Sequence, residues 1–251
     1  MYSASTYVPA LSRPLQGLFA PASTFKAFSI FAAVKAGYNL NATYACPGKY
    51  TVGNRDFTNY ESKAMGTISL KTGIAVSCDT LWYKIAYAEW LKDGGLSPKN
   101  ANDYFFKVAH DFQMDQKTGI DLPGELGGRI PDRKWKEDYW KQNKNFYCNY
   151  QSRAAKKDLT PFLIQLAKEN CIDGDKVRAG DMVNFSIGQG DVLMTPIQMA
   201  VMYAAIANGG ELVKPQVRRA IVTPTGKVLE KFEKTVTGTL PIKKSTLKLM
   251  H

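Results

Sequence analysis

Apolar positions in this 251-residue chain gather into blocks of helical length. After Thr24 come Phe25, Phe28, Ile30, Phe31, Ala32, Ala33 and Val34, ending at Gly37. That block is apolar almost all round, which predicts a helix over 24–36 buried in a core. Thr67 opens a second helical stretch through Val76, broken at Ser77-Cys78-Asp79. A third helix runs from Thr80 to about Leu91 and stops at Gly94-Gly95. Between the first two, residues 38–66 are rich in Gly, Asn and Tyr. Turn signals at Pro47-Gly48 and Gly53-Asn54 predict an irregular loop with short strands. Residues 100–130 carry a short helix, and 131–160 read as an exposed, charged and aromatic lobe. Thr195-Pro196-Ile197-Gln198 has the N-cap, first-turn proline and capping-box glutamine of a helix start. That helix runs to about Ala207 and ends at Asn208-Gly209-Gly210. Two strands follow, Val217–Val222 and Lys227–Phe232, joined at Pro224-Thr225-Gly226.

Composition narrows this picture. With 45% hydrophobic residues the chain suits one large domain or two small ones. The longest apolar run, Val192 to Ala207, is interrupted by Thr195, Pro196 and Gln198, so neither a membrane span nor a signal peptide is read. The net charge of +11 fits polyanionic surroundings. The basic clusters at Lys134-Trp135-Lys136, Arg153 to Lys157 and Lys243-Lys244 come with no nucleic-acid motif, which leaves a solvated basic surface and no nucleic-acid partner. Cys46, Cys78, Cys148 and Cys171 lack C-x-x-C spacing, and His110 and His251 are too few for a zinc set, so no metal and no cofactor is expected. Cys78 reads as a small buried filler; a Cys148–Cys171 disulfide is open if the protein is exported.

The chemistry centres on Pro21-Ala22-Ser23-Thr24-Phe25-Lys26. Residues i and i+3 share a helix face, so Lys26 can reach Ser23. A serine hydroxyl is a poor nucleophile until a base takes its proton, and a lysine with a lowered pKa is such a base. The apolar helix that follows desolvates Lys26, disfavouring the ammonium. No G-x-S-x-G elbow supports a histidine mechanism. Serine there also suits a plain helix cap, as does the Ser77-Cys78-Asp79 junction, but that junction can equally aim two polar side chains into a cleft.

Ser23-x-x-Lys26 followed about fifty residues later by Ser77-Cys78-Asp79 resembles the penicillin-binding proteins and serine β-lactamases. Thr118 to Glu125, Asn184-Phe185-Ser186-Ile187-Gly188-Gln189-Gly190, Thr195 to Gln198 and Ala207 to Gly210 look like class B penicillin-binding proteins. Asp79 at the second motif points to the elongation-type branch. The resemblance covers Pro14 to Lys244. It departs at the third motif, K-T/S-G, which should follow the Thr195 helix. The two K-T-G strings, at Lys71 and Lys117, both come too early. The front of the family domain is also missing, so the chain reads as 1–251 of a partial transpeptidase domain.

The resemblance implies an α/β (α+β) fold: a penicillin-binding/β-lactamase-like sandwich with a mostly antiparallel sheet flanked by helices, an all-helical lobe, and an incomplete sheet here. It implies a peptidoglycan D,D-transpeptidase in which Ser23 attacks, Lys26 accepts the proton, Ser77 relays it and Asp79 holds Lys26 or the substrate amide. Stem peptides, β-lactam antibiotics and other wall-synthesis membrane proteins are the implied partners, at the extracytoplasmic face of the membrane. With one oxyanion donor missing, catalysis by this chain is expected to fall ~10²–10³-fold. The rival readings are a class D-type β-lactamase or penicillin-sensing domain, which typically carries S-x-V at the second motif, and a non-catalytic wall-synthesis scaffold.

Overall fold

The computed structural model describes residues 11–155, 159–248 and 250. A short helix α1 (Arg13–Gln16) leads through a 3-10 turn (Ala22–Phe25) into α2 (Lys26–Lys35). Every residue of α2 from Lys26 to Ala33 is buried, as an all-apolar helix requires. Strands β1 (Thr43–Cys46), β2 (Lys49–Val52), β3 (Arg55–Thr58) and β4 (Gly66–Ser69) follow, then α3 (Leu70–Ala75), α4 (Asp79–Lys92) and α5 (Tyr104–Asp111). The charged lobe is helical: α6 (Arg133–Cys148), α7 (Tyr150–Ala155) and α8 (Pro161–Asp173), with α9 (Ala179–Phe185) returning to the core. The chain continues through α10 (Pro196–Ala207), β5 (Glu211–Val213), β6 (Ala220–Val222), β7 (Val228–Lys231), β8 (Val236–Thr239) and α11 (Lys244–Lys248). Among the described residues no helix is long and apolar enough to cross a membrane.

The core is aromatic and centres on α2. Phe25 meets Phe185 of α9 edge-on with centroids 5.0 Å apart, and Phe28 meets Phe112 just beyond α5 at 4.8 Å. Such pairs contribute ~0.5–1.5 kcal/mol beyond their burial. Helix α2 packs on α5, α3 and α4, and the turn before it meets α9 through Phe25.

Three expectations are corrected in detail, while the expected incomplete antiparallel sheet is present as small pairs. Thr67–Ser69 is strand, not helix: Thr67 and Ile68 are β-branched and pair with Ala45 and Tyr44 of β1, and the helix starts only after Ser69, whose hydroxyl caps it at Thr72. The strand expected from Val217 begins at Ala220, because the Val217 amide and the Arg218 side chain are taken by the Asp121 carboxylate. The antiparallel strands form four separate two-stranded pairs, β1–β4, β2–β3, β5–β8 and β6–β7. In the charged lobe Lys136 is buried, pairing with Asp181 and Asp191. The lobe is also stapled by a Cys148–Cys171 disulfide between α6 and α8. Of its basic residues, Lys156 and Lys157 lie outside the described ones, as do His251 and residues 1–10.

Candidate active site

Ser23 occupies the 3-10 turn entering α2, and its position is built from below. Ala22, just before it, is left-handed (φ 50°), which costs a residue with a Cβ ~1–2 kcal/mol. Three bonds hold the turn. Ala22 N–H donates to the Gly188 carbonyl at 2.8 Å, Thr24 Oγ1 to the Pro21 carbonyl at 2.5 Å, and the Tyr203 hydroxyl of α10 to the Thr24 carbonyl at 2.7 Å. Gly188 has φ +71°, and a Cβ there would stand 2.5 Å from both the Ala22 oxygen and the Phe25 Cβ. Only glycine fits beneath this turn.

The structure brings all four sequence-expected site residues together. Lys26, 1% exposed, places Nζ 3.0 Å from Ser23 Oγ, 2.8 Å from Ser77 Oγ and 3.0 Å from the Ser77 carbonyl oxygen. It is also ion-paired with Asp79. Ser77 Oγ donates to Ser23 Oγ at 3.0 Å, closing a triangle of two hydroxyls and one amine. Four acceptors surround a group that carries at most three protons. Burial pushes the Lys26 pKa below the ordinary 10.5, and the bond and charge of Asp79 pull it back by less. A lowered pKa is what a lysine acting as a base requires.

Ser77 and Asp79 arrive from the junction of α3 and α4. Ser77 is left-handed (φ 55°), which turns the chain sharply and aims its hydroxyl inward. Gly73 of α3 lets Leu81 of α4 approach closely; a Cβ there would lie 2.4 Å from Leu81 Cδ2. Cys78 is wholly buried, as a filler would be, but it is bonded to Cys46 at the end of β1, tying the second motif to that strand. On the other side of Ser23 an apolar groove of about 400 Å³ is walled by Phe19, Met194, Met199 and Tyr203.

Other candidates are accounted for structurally. His110 bonds Asp132 at 2.9 Å and Asp115 at 3.2 Å, and among the described residues no serine joins it. Lys71 lies in α3. After Lys117, the Thr118 and Gly119 amides donate to the buried Glu125 carboxylate at 2.7 and 2.9 Å, closing a rigid loop. Among the described residues neither K-T-G string is hydrogen-bonded to Ser23 or Lys26.

The model of the penicillin binding protein transpeptidase domain family matches residues 1–251. The chain belongs to that family. Among curated relatives, the peptidoglycan D,D-transpeptidase MrdA of Haemophilus influenzae is 26% identical over 235 residues, which are 90% of this chain and 28% of that protein. The MrdA of Acinetobacter baumannii is 27% identical over 215 residues, 84% of this chain and 25% of that protein. The chain thus spans about a quarter of the length of these relatives. Solved structures share the fold. Penicillin-binding protein PBP2 of Helicobacter pylori, in complex with MreC, has a TM-score of 0.68 at 22% identity, over 98% of this chain and 36% of that one. Penicillin-binding protein A of M. tuberculosis, a ceftriaxone acyl-enzyme complex, has a TM-score of 0.65 at 17% identity, over 96% and 43%.

In this transpeptidase-family domain the motif residues announced themselves, but what supports them did not. Cys46 and Asn59 sit behind the second motif in the stretch that reads as irregular loop, and no periodicity or spacing marks either.

Proposed function

We propose that the chain is the catalytic part of a peptidoglycan D,D-transpeptidase of the elongation type, acting on stem peptides that end in D-Ala-D-Ala. The observation that carries this is the triangle of Ser23 Oγ, Lys26 Nζ and Ser77 Oγ, with the amine desolvated. Ser23 Oγ attacks the carbonyl carbon of the penultimate D-alanine while its proton passes to Lys26. The Ser23 backbone N–H, at the start of its turn, donates to the oxyanion. As the tetrahedral intermediate collapses the C–N bond breaks, and Ser77 relays the proton from Lys26 to the departing D-alanine amine. An amine of a neighbouring peptide then attacks the acyl-serine, forms the cross-link and frees Ser23. Asp79 keeps Lys26 pointed at both hydroxyls.

A β-lactam follows the first half of this path and stops at the acyl-serine. The relatives named D,D-transpeptidases, the acyl-enzyme neighbour and the MreC complex support the substrate class, the drug class and wall-synthesis membrane partners, with work at the extracytoplasmic face. Asp79, ion-paired with Lys26, favours this over a class D-type hydrolase. The test is intact mass after incubation with penicillin. One stable penicilloyl addition on the wild type and none on Ser23→Ala is expected. An adduct that survives Ser23→Ala would remove Ser23 as nucleophile, and rapid loss of the adduct by hydrolysis would favour the β-lactamase.

A further inference from the structure

The first two amides of α4, those of Asp79 and Thr80, need acceptors that their own helix cannot supply. The N-cap position is held by Cys78, whose sulfur, already in a disulfide, meets the Leu81 amide at 3.3 Å and the Thr80 hydroxyl at 3.5 Å but neither of the first two amides. The missing acceptor comes from twenty residues upstream. Asn59 Oδ1 accepts from Asp79 N and from Thr80 N, each at 2.9 Å. Its Nδ2 donates to the carbonyls of Pro47 at 2.9 Å and Lys63 at 2.8 Å. Two acceptances and two donations are all that a carboxamide can make, and Asn59 makes them while 2% exposed.

What Asn59 fastens is not a relaxed piece of chain. Glu61 and Ser62 are consecutive left-handed residues without a glycine (φ 54° and 51°), a conformation that persists only where surroundings impose it. The turn lies on Gly48, where a Cβ would stand 2.1 Å from the Ser62 carbonyl oxygen. Thr80 Oγ1 adds a bond to the Pro47 carbonyl at 2.7 Å. The 46–48 corner, the exposed 59–63 turn and the start of α4 thus meet on a buried centre of Cys46, Asn59 and Thr80 directly behind Asp79.

We infer that Asn59 is a positioning residue for the reaction: by capping α4 from outside, it sets where the Asp79 carboxylate meets Lys26. The inference rests on the reading of Lys26 as the base. From α4, Asp79 faces the amine with Tyr83 behind it; from the other segments, the hydroxyls of Ser23 and Ser77 face it. Asp111 of α5 is engaged by Lys35 at the far end of α2, and Lys71 of α3 is exposed. Asp79 is therefore the charge whose displacement the amine feels.

The experiment is the second-order rate of acylation by a fluorescent penicillin across about pH 5 to 10. Wild type, Asn59→Ala, Asn59→Ser and Asn59→Asp are compared, with melting temperature recorded for each. In Asn59→Ala and Asn59→Ser the plateau rate should fall at least about tenfold, since misplacement on the order of 1 Å can cost ~10²-fold. The acid limb should also move to lower pH, because Lys26 loses the carboxylate that favours its proton. Asn59→Asp keeps the acceptor for both amides, so its limb should stay at or above the wild-type pH despite any loss of stability. A uniform drop with an unmoved limb in the first two variants would reduce Asn59 to a structural role. So would a limb that falls in Asn59→Asp as well. If Asn59→Ala does not fold, the limbs of the serine and aspartate variants decide. A wild type that is never acylated at Ser23 would instead overturn the functional reading itself.

Discussion

Lys26 owes its chemistry to a contest between two environments. Burial disfavours the ammonium, the Asp79 carboxylate favours it, and burial is the larger effect. The base form therefore appears below the ordinary lysine value of 10.5, and acylation should rise with pH along a limb centred below that value. The same shift affects folding. Between the lowered folded value and the ordinary one, the unfolded chain binds the extra proton, so stability rises with pH through that window. Lys26→Arg tests the base directly. A guanidinium keeps the charge opposite Asp79 but does not give up its proton in a protein. Acylation measured by penicilloyl mass should fall by ~10²–10⁴-fold while the fold persists; near-normal acylation would exclude Lys26 as base. The pairing of Ser23 with Lys26 is legible in the sequence because a one-turn offset is a local fact. Asn59 is not, because its partners lie up to twenty-one residues away.

Where an element's signals are all local, sequence and structure agree closely. α10 begins at Pro196 and ends at Ala207 with the Thr195–Gln198 capping box formed, because cap, proline and terminal Asn-Gly-Gly lie within its own span. Where pairing with a distant strand decides, local reading fails. Thr67–Ser69 joins β1, which begins some two dozen residues earlier, and short β-branched segments suit either state until a partner is known. The Ser23 turn shows what such distant support is worth. Gly188→Ala would force a Cβ into the Ala22 carbonyl at a backbone angle that alanine resists. We expect a loss of ~1–3 kcal/mol by thermal unfolding, together with slower acylation as the turn tilts. Unchanged acylation in a destabilised variant would show that the turn tolerates displacement.

The two disulfides divide the protein into a lobe that can loosen and a site that cannot. Cys148–Cys171 is half-buried and closes a 23-residue separation at the edge of the helical lobe, worth about 3 kcal/mol by chain entropy. Cys46–Cys78 has both cysteines wholly buried behind the second motif. Mild reductant on the native protein should open the first alone, and alkylation followed by peptide mass mapping should label Cys148 and Cys171 while penicillin acylation continues. Labelling of Cys46 or Cys78 before unfolding would show that the buried centre behind Asp79 opens in the native state.

Ser23 and Ser77 stand 54 positions apart, and that separation bears on timing during biosynthesis. In a nascent or unfolded chain the serine still has its lysine three residues away, but neither the burial of the amine nor the second hydroxyl beside it. Both arrive only when the start of α4 docks on α2. On the proposed mechanism, a polypeptide still on its way to the folded state should therefore be silent toward a penicillin. A penicillin would then count only finished molecules.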